Sequence, residues 1–411
     1  MSVSATLAAN EIIAARRAEG QDVLALAFGE AGLPVHPALI GQLAASAGEA
    51  NYGPVAGIPS AREAVASYWS RRGLTTGAEQ MLLGPGSKSL LYATLLSVGG
   101  DVAIPQPSWV TYAAQIELLG RKAITIPTLP GQGGVTDPQA LDAIAENNPN
   151  LKLVISTLPD NPSGTLASAE TVRRLAEVAR RHELVILSDE IYRDLVFDQT
   201  DVPSPAQWAP ERTVITTSLS KNLALGGWRI GAARFPGSPL GQKLRQSVTS
   251  AASELWSAPV MPMQLAAAYA WSEPTELAER IGQSRKLHGI VAMEVAAIFA
   301  KAGAAVEEPK GGFYVYPDFE MFRERLEDHW GVTGSADLSR VLLDKFNMGV
   351  LAGEAFGAEP DSLTARVATS QLYGNSAEQR LAALESSDPL QLPWIAEKLE
   401  RIDGILQEFL R

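Results

Sequence analysis

A mostly parallel β-sheet with helices on both faces, joined to a smaller α+β domain, is the fold the sequence predicts. Three observations predict it. Seven short, nearly all-apolar stretches recur along the chain, most of them separated by helical periodicity such as "SAETVRRLAEVARRHE". Strands that are apolar on consecutive residues are buried on both faces, as in a sheet covered by helices. Three consecutive stretches also end on distinctive polar residues, at the strand ends where ligands of such sheets gather.

In chain order, the sequence opens on an amphipathic helix, "ATLAANEIIAARRAEG", then a short strand in "VLALAFGE" and a Pro/Gly turn in "AGLPVHP". The alternating pattern begins near Pro37, with strands in "EQMLLG", "DVAIP", "KAITIP", "LKLVIST", "ELVILSD", "TVITTSLS" and "WRIGAARF". A long helical stretch, "ELAERIGQSRKLHGIVAMEVAAIFAKAG", is expected to carry the chain out of this sheet. "GGFYVYPDF", "VLLDKFNMGVLAGEAFG" and "SLTARVATS" then supply further strands and a helix. The expected division is a large domain over 37–289 and a small one over 290–411, with the segment 1–36 associated with the small domain.

Composition removes several function classes. The 411 residues leave ample volume for a buried core in two or three domains. With 46 acidic against 34 basic residues the formal charge is -12, which disfavours nonspecific binding to nucleic acid or anionic membrane. An anionic ligand must therefore be held by a few aimed donors. The chain has no cysteine, which excludes disulfides and thiolate catalysis, and its four histidines stand far apart, so no metal site is expected. The N-terminus lacks a basic start followed by a continuous apolar run, and the expectation is a soluble cytoplasmic protein.

The stretch "SLSKNLALGGWRIG" carries the most chemistry. A lone lysine is ordinarily a solvated surface group, but Lys221 follows an apolar strand and precedes Arg229 among glycines that permit close backbone approach. Ser218 and Arg229 are what a bound phosphate monoester needs, leaving Lys221 free for covalent work. The "GxxxxGK[ST]" pattern of a nucleotide-binding loop is absent.

Together with "LLGPGSKSLLYATLL", "IPQPSWVTY", "LPDNPSG", "DEIYRD" and "LTARVATS", in order along the chain, this stretch resembles the fold-type I pyridoxal-phosphate enzymes, and in particular the class I/II aminotransferases. The resemblance implies an aspartate-aminotransferase-like large domain that binds pyridoxal 5'-phosphate. It implies that Lys221 attaches to the cofactor aldehyde and later shuttles a proton. Asp189 of "DEIY" is expected to pair with the ring nitrogen, although a helix cap would also suit an aspartate at a strand end. Tyr192 and Asn161 are expected to donate to the cofactor's phenolic oxygen, and Trp109 to stack on its ring.

Gly86 and the amides of Ser87 and Lys88, opening a helix, join Ser218 and Arg229 as the expected phosphate cup. Tyr52 matches the tyrosine that reaches the phosphate of a neighbouring subunit, which implies a homodimer. Arg366 is expected to bind the substrate α-carboxylate, and Gly29 to line the substrate side, next to Trp109 and Asn161. The chain departs from the family string "NPxNPTG" at Leu158 and Ser163, and from "GEPDF" in "GEAGLPVHP".

The expected activity is transfer of an amino group from an amino acid to a 2-keto acid. β-Elimination, decarboxylation and oxidation on the same fold stay open, and a noncatalytic effector-binding domain is disfavoured for want of a basic DNA-binding segment. Glu30, and Glu254 with Trp256 in "SELWSAPVMPMQ", are the pocket candidates outside the motifs, and on their charge a dicarboxylate donor is not expected.

Overall fold

The computed structural model describes residues 4–198 and 201–411. After the helix Ala5–Ala18 comes a two-residue strand, β1 (Leu24–Ala25). The seven apolar stretches form β2 (Met81–Gly84), β3 (Asp101–Gln106), β4 (Ala123–Pro127), β5 (Leu151–Thr157), β6 (Val185–Asp189), β7 (Thr213–Ser218) and β8 (Gly231–Arg234). They make one sheet in the order β2-β8-β7-β6-β5-β3-β4. Only β8 runs antiparallel to its neighbours, β2 and β7.

The burial of both faces follows from alternation of side chains along each strand. Ala103, Val154 and Ile186 point into a core with the helices Pro138–Asn147 and Ala169–Arg181. Ile104, Leu153, Ile155, Leu187 and Val214 point the other way, against the helices Ser87–Val98 and Pro239–Leu255. Prolines open five of the described helices, Pro37–Ser46, Pro59–Arg71, Pro138–Asn147, Pro239–Leu255 and Pro393–Phe409, at a position where no backbone N–H is needed.

Past the sheet, β9 (Tyr314–Val315), β11 (Leu351–Ala352) and β12 (Ala365–Ala368) form a small antiparallel sheet, and β10 (Met348–Gly349) pairs in parallel with β1. Leu24, Leu26 and Leu33 enter the same apolar cluster as Val315, Leu342, Val367 and Phe409, so the N-terminal segment packs with the C-terminal part of the chain. The expected boundary near residue 290 falls inside the helix Thr275–Lys301. Leu277 of that helix belongs to a core with Trp69 and Leu219, whereas Leu287, Val291 and Val295 belong to the C-terminal core, so one helix serves both. Among the described residues no helix is long and apolar enough to cross a membrane.

Candidate active site

Parallel pairing sets Thr157, Asp189 and Thr216 side by side at the carboxyl ends of β5, β6 and β7. The Asp189 carboxylate is buried there. It accepts from Tyr112 Oη at 3.0 Å and from Thr216 Oγ1 at 3.3 Å, and Tyr112 also shares a hydrogen bond with Thr157 Oγ1 at 2.8 Å. Burial pushes its pKa up to about 6, against the pull of those hydrogen bonds and of Lys221.

A cavity of about 530 Å³ opens over this row. Lys221, on the one-turn helix Leu219–Asn222 after β7, donates from Nζ to the carbonyl of Gly29 at 2.5 Å and lies 5.7 Å from the ring centres of Tyr192 and Phe313. Tyr192 shares a hydrogen bond with Tyr314 Oη at 2.8 Å, and burial, then the Tyr314 phenol, hold its pKa well above the usual value. Gly29 has no room for a side chain: a Cβ there would stand 2.3 Å from Tyr314 Oη.

Arg366, on β12, closes the far wall. Its guanidinium is fully buried, with Nη1 donating to Asn161 Oδ1 at 3.0 Å and Nη2 to the carbonyl of Ala27 at 2.6 Å, while Nε has no partner. Among the described residues no carboxylate pairs with it, and burial lowers its pKa. A buried cation held only by neutral acceptors is costly unless an anion arrives.

The other end of the cavity is cationic. Gly86, at φ +81°, turns the chain into the helix Ser87–Val98, and a Cβ on it would lie 2.3 Å from Arg229 Nη2. A Cβ on Gly231 would strike the Gly86 carbonyl carbon and the Ser87 nitrogen, each at 2.7 Å. Arg229 itself sits in the left-handed region at φ +52°, an uncommon conformation for a residue with a side chain, held by bonds to the carbonyls of Gly226 and Pro85 at 3.0 and 3.3 Å. Lys88 has its pKa lowered by burial and by Arg229 and Lys221, and its Nζ lies 5.1 Å from the Trp109 ring centre. Trp109 meets Tyr112 edge to face at 5.4 Å.

Gly29, Ser87, Lys88, Trp109, Asn161, Asp189, Tyr192, Lys221, Arg229 and Arg366 therefore share one cavity, with Gly86 packed directly behind Arg229. Ser218 does not line it. The Ser218 hydroxyl is buried and caps the Lys221 helix by accepting from the Ser220 amide at 3.2 Å, and Ser220 stands at the wall instead. Tyr52 lies outside this chain's cavity and is 92% exposed.

Of the extra pocket candidates, Glu30 lines the cavity. Glu254 is exposed at the end of the helix Pro239–Leu255, accepting from its neighbour Ser253, and Trp256 packs against Gly84, so neither reaches the cavity wall. Residues that motif reading missed are Thr6 and Leu7, from the first turn of the N-terminal helix, and Tyr314. Thr6 Oγ1 is buried without a partner among the described residues.

The profile of the family described as aminotransferase class I and II matches residues 21–372. The chain belongs to the class I and II aminotransferases. An aspartate aminotransferase of Geobacillus stearothermophilus is 31% identical over 93% of the chain and 96% of its own length. A probable aspartate/prephenate aminotransferase of Thermus aquaticus is 31% identical over 78% of the chain and 84% of its own. Among solved structures, an aspartate aminotransferase from Thermus thermophilus with maleate superposes at a TM-score of 0.83 and 25% identity, covering 98% of this chain and 97% of that one.

Aminotransferases of this class are enzymes that use pyridoxal 5'-phosphate, and the cavity's donor set fits that group. Converging cations and a glycine turn at a helix start suit a phosphate, and a buried carboxylate with a raised pKa suits a protonatable ring nitrogen.

Proposed function

We propose that this aminotransferase binds pyridoxal phosphate over the Thr157, Asp189 and Thr216 row and takes the amino group of an α-amino acid whose carboxylate lies on Arg366. The observation that carries the reading is the Lys221 amine in the same cavity as a buried guanidinium that has no anionic partner among the described residues. When bound, the cofactor supplies an aldehyde that takes up amino groups and a ring that draws electrons from the substrate α-carbon.

Each residue then has one task. Asp189 holds a proton on the ring nitrogen by its negative charge. Tyr192 and Asn161 donate to the phenolic oxygen, and Trp109 covers the ring face. Ser87, Lys88 and Arg229 hold the phosphate through amides and a guanidinium. The Lys221 amine, once freed, takes the proton from the substrate α-carbon. Tyr52, exposed on this chain, suits a second site across a homodimer. The units 37–289 and the combined 1–36 and 290–411 are the two domains, and Arg366 on the smaller couples substrate binding to their closure.

The side-chain end of the substrate is read from Lys88 and Thr6. Of the two acids behind the expectation of a non-acidic donor, Glu254 stands outside the cavity, whereas Lys88 stands inside without a carboxylate partner among the described residues. That balance favours a donor with acceptor atoms on its side chain, of the aspartate kind named for relatives. The test is a single half-reaction: protein with pyridoxal phosphate and one amino acid, without keto acid. Accumulation of aminated cofactor with one equivalent of keto acid supports transfer, while continuous release of ammonia or carbon dioxide overturns it in favour of elimination or decarboxylation.

A further inference from the structure

Lys221 stands on a single turn of helix, too short to hold its own orientation. Its neighbour is tied from outside. Asn222 Nδ2 donates to Asp194 Oδ2 at 2.8 Å, and Asp194 lies in the turn Arg193–Leu195, directly after Tyr192. One carboxylate thus bridges the segment bearing Lys221 and the segment bearing Tyr192.

That carboxylate is itself anchored. Asp194 Oδ1 accepts from Arg72 Nε and Nη2 at 3.1 and 2.8 Å, and the Tyr68 hydroxyl reaches both oxygens at 3.1 and 3.0 Å. Arg72 stacks 3.5 Å from the Tyr68 ring centre and is gripped by Glu273, Nη2 to Oε1 at 2.5 Å. Burial, and then Asp194, keep the Tyr68 phenol well above its usual pKa, so it remains a donor; Arg72 and Arg193 are the cations facing it, and Glu273 the second acid.

We propose that Asp194 is a positioning residue for the reaction, holding the Lys221 turn and the Tyr192 turn in one register so that amine and phenol meet the cofactor together. The inference rests on the reading of Lys221 as the cofactor-bearing amine. Neither Asp194 nor Asn222 lines the cavity, so both act through their neighbours. The charge matters as well as the shape. A carboxylate offers two accepting oxygens, one for Asn222 and one for Arg72, whereas an asparagine offers one and turns the donating NH2 of its amide toward the other donor.

The test uses the holoenzyme of Asn222→Ala and Asp194→Asn, with Leu326→Ala as a control that truncates a buried side chain in the C-terminal core. The readouts are the pH midpoint of the visible absorbance of cofactor attached to Lys221, and kcat and KM separately. Both test variants are expected to move the midpoint by at least about half a unit. Both lower kcat roughly tenfold, with KM for the amino acid within about twofold. Leu326→Ala lowers the melting temperature and leaves the midpoint in place. An unmoved midpoint in Asn222→Ala, or an equal movement in Leu326→Ala, overturns the proposal. If Asp194→Asn fails to fold, Asn222→Ala decides alone, since it deletes one amide contact. Borohydride reduction and peptide mapping of the unmutated protein separate the two failures: no adduct on Lys221 removes the functional reading and this inference with it, whereas an adduct on Lys221 with an unmoved midpoint in Asn222→Ala removes this inference alone.

Discussion

Arg366 donates from Nη1 to the side-chain oxygen of Asn161 at 3.0 Å, joining the small sheet to the loop that follows β5. Neither Asn161 nor Ala27 carries charge, so the guanidinium enters the folded state desolvated and unneutralised, with Nε unpartnered. A planar carboxylate supplies both the missing charge and the missing acceptor.

Arg366→Lys keeps the charge and loses the fork. It cannot serve Asn161, Ala27 and a carboxylate at once, and kcat/KM is expected to fall by roughly a hundredfold or more, with most of the change in KM. Steady-state kinetics with any accepted donor check this, and a change below threefold would remove Arg366 from substrate binding.

Lys221→Ala is expected to fold and to hold the cofactor noncovalently while losing nearly all turnover. Borohydride treatment of the unmutated protein, followed by peptide mapping, is expected to give a single pyridoxyl lysine at position 221. An adduct on any other lysine refutes the assignment.

Asp189→Asn tests charge against shape. The amide fills the same space between Tyr112 and Thr216 but carries no negative charge to hold a proton on a ring nitrogen. Half-reaction rates are expected to drop by about three orders of magnitude with far-UV circular dichroism unchanged. Near-native rates would show that ring protonation is not enforced here.

The seven strands of the large sheet were legible because each is a short apolar run closed by turn residues, and Lys221, Asp189, Asn161 and Arg366 were legible because each sits in a distinctive string. What brings them together was not. The row of Thr157, Asp189 and Thr216 depends on strand order and register, which are set by packing between distant segments. Which hydroxyl of "SLS" faces the cavity depends on the turn after β7, and the cap geometry turns Ser218 inward and leaves Ser220 at the wall. Thr6 shows the same limit: an amphipathic pattern tells which face of a helix is buried, not what it is buried against. Glu254 is the converse, an acid in an unusual string that ends on the surface.

Asp160, next to Asn161, is a buried acid with a measurable pH signature. Its Oδ2 accepts from Ser163 Oγ at 2.6 Å, its Oδ1 has no partner, and burial pushes its pKa up to about 6 from an ordinary 3.8. Between these two values the unfolded chain has lost the proton that the folded chain retains, so this group's contribution to stability falls as pH rises through the window and stays low above it. Asp160→Asn removes the titration. Relative to the unmutated protein, the cofactor-free variant is expected to gain on the order of 2 kcal/mol on going from pH 4 to pH 7.5. Denaturant midpoints at the two pH values measure it, and Asp189, present in both proteins, cancels. A stability difference that does not change with pH would show that Asp160 ionises at its ordinary value.

The side-chain specificity turns on Lys88. Its ammonium lies against Trp109, and burial with the fields of Arg229 and Lys221 lowers its pKa, so an arriving anion would stabilise its charged form. A bound phosphate offsets part of that field near Arg229, and a distal carboxylate on the substrate would offset more. Glu30, on the same cavity, opposes an acidic side chain. Both side chains are solvent-exposed, but Lys88 lies against the Trp109 ring and burial lowers its pKa, which leaves its charge less screened by water. The lysine should therefore prevail. Aspartate and glutamate are expected to exceed leucine and arginine as donors by at least about tenfold in kcat/KM, about 1.4 kcal/mol of discrimination. Lys88→Ala is expected to erase that ratio while leaving leucine nearly unaffected, whereas Glu30→Gln should widen it modestly. A panel in which leucine or arginine leads, and in which Lys88→Ala slows all donors equally, would assign the Lys88 side chain to the cofactor phosphate and return the pocket to the charge of Glu30.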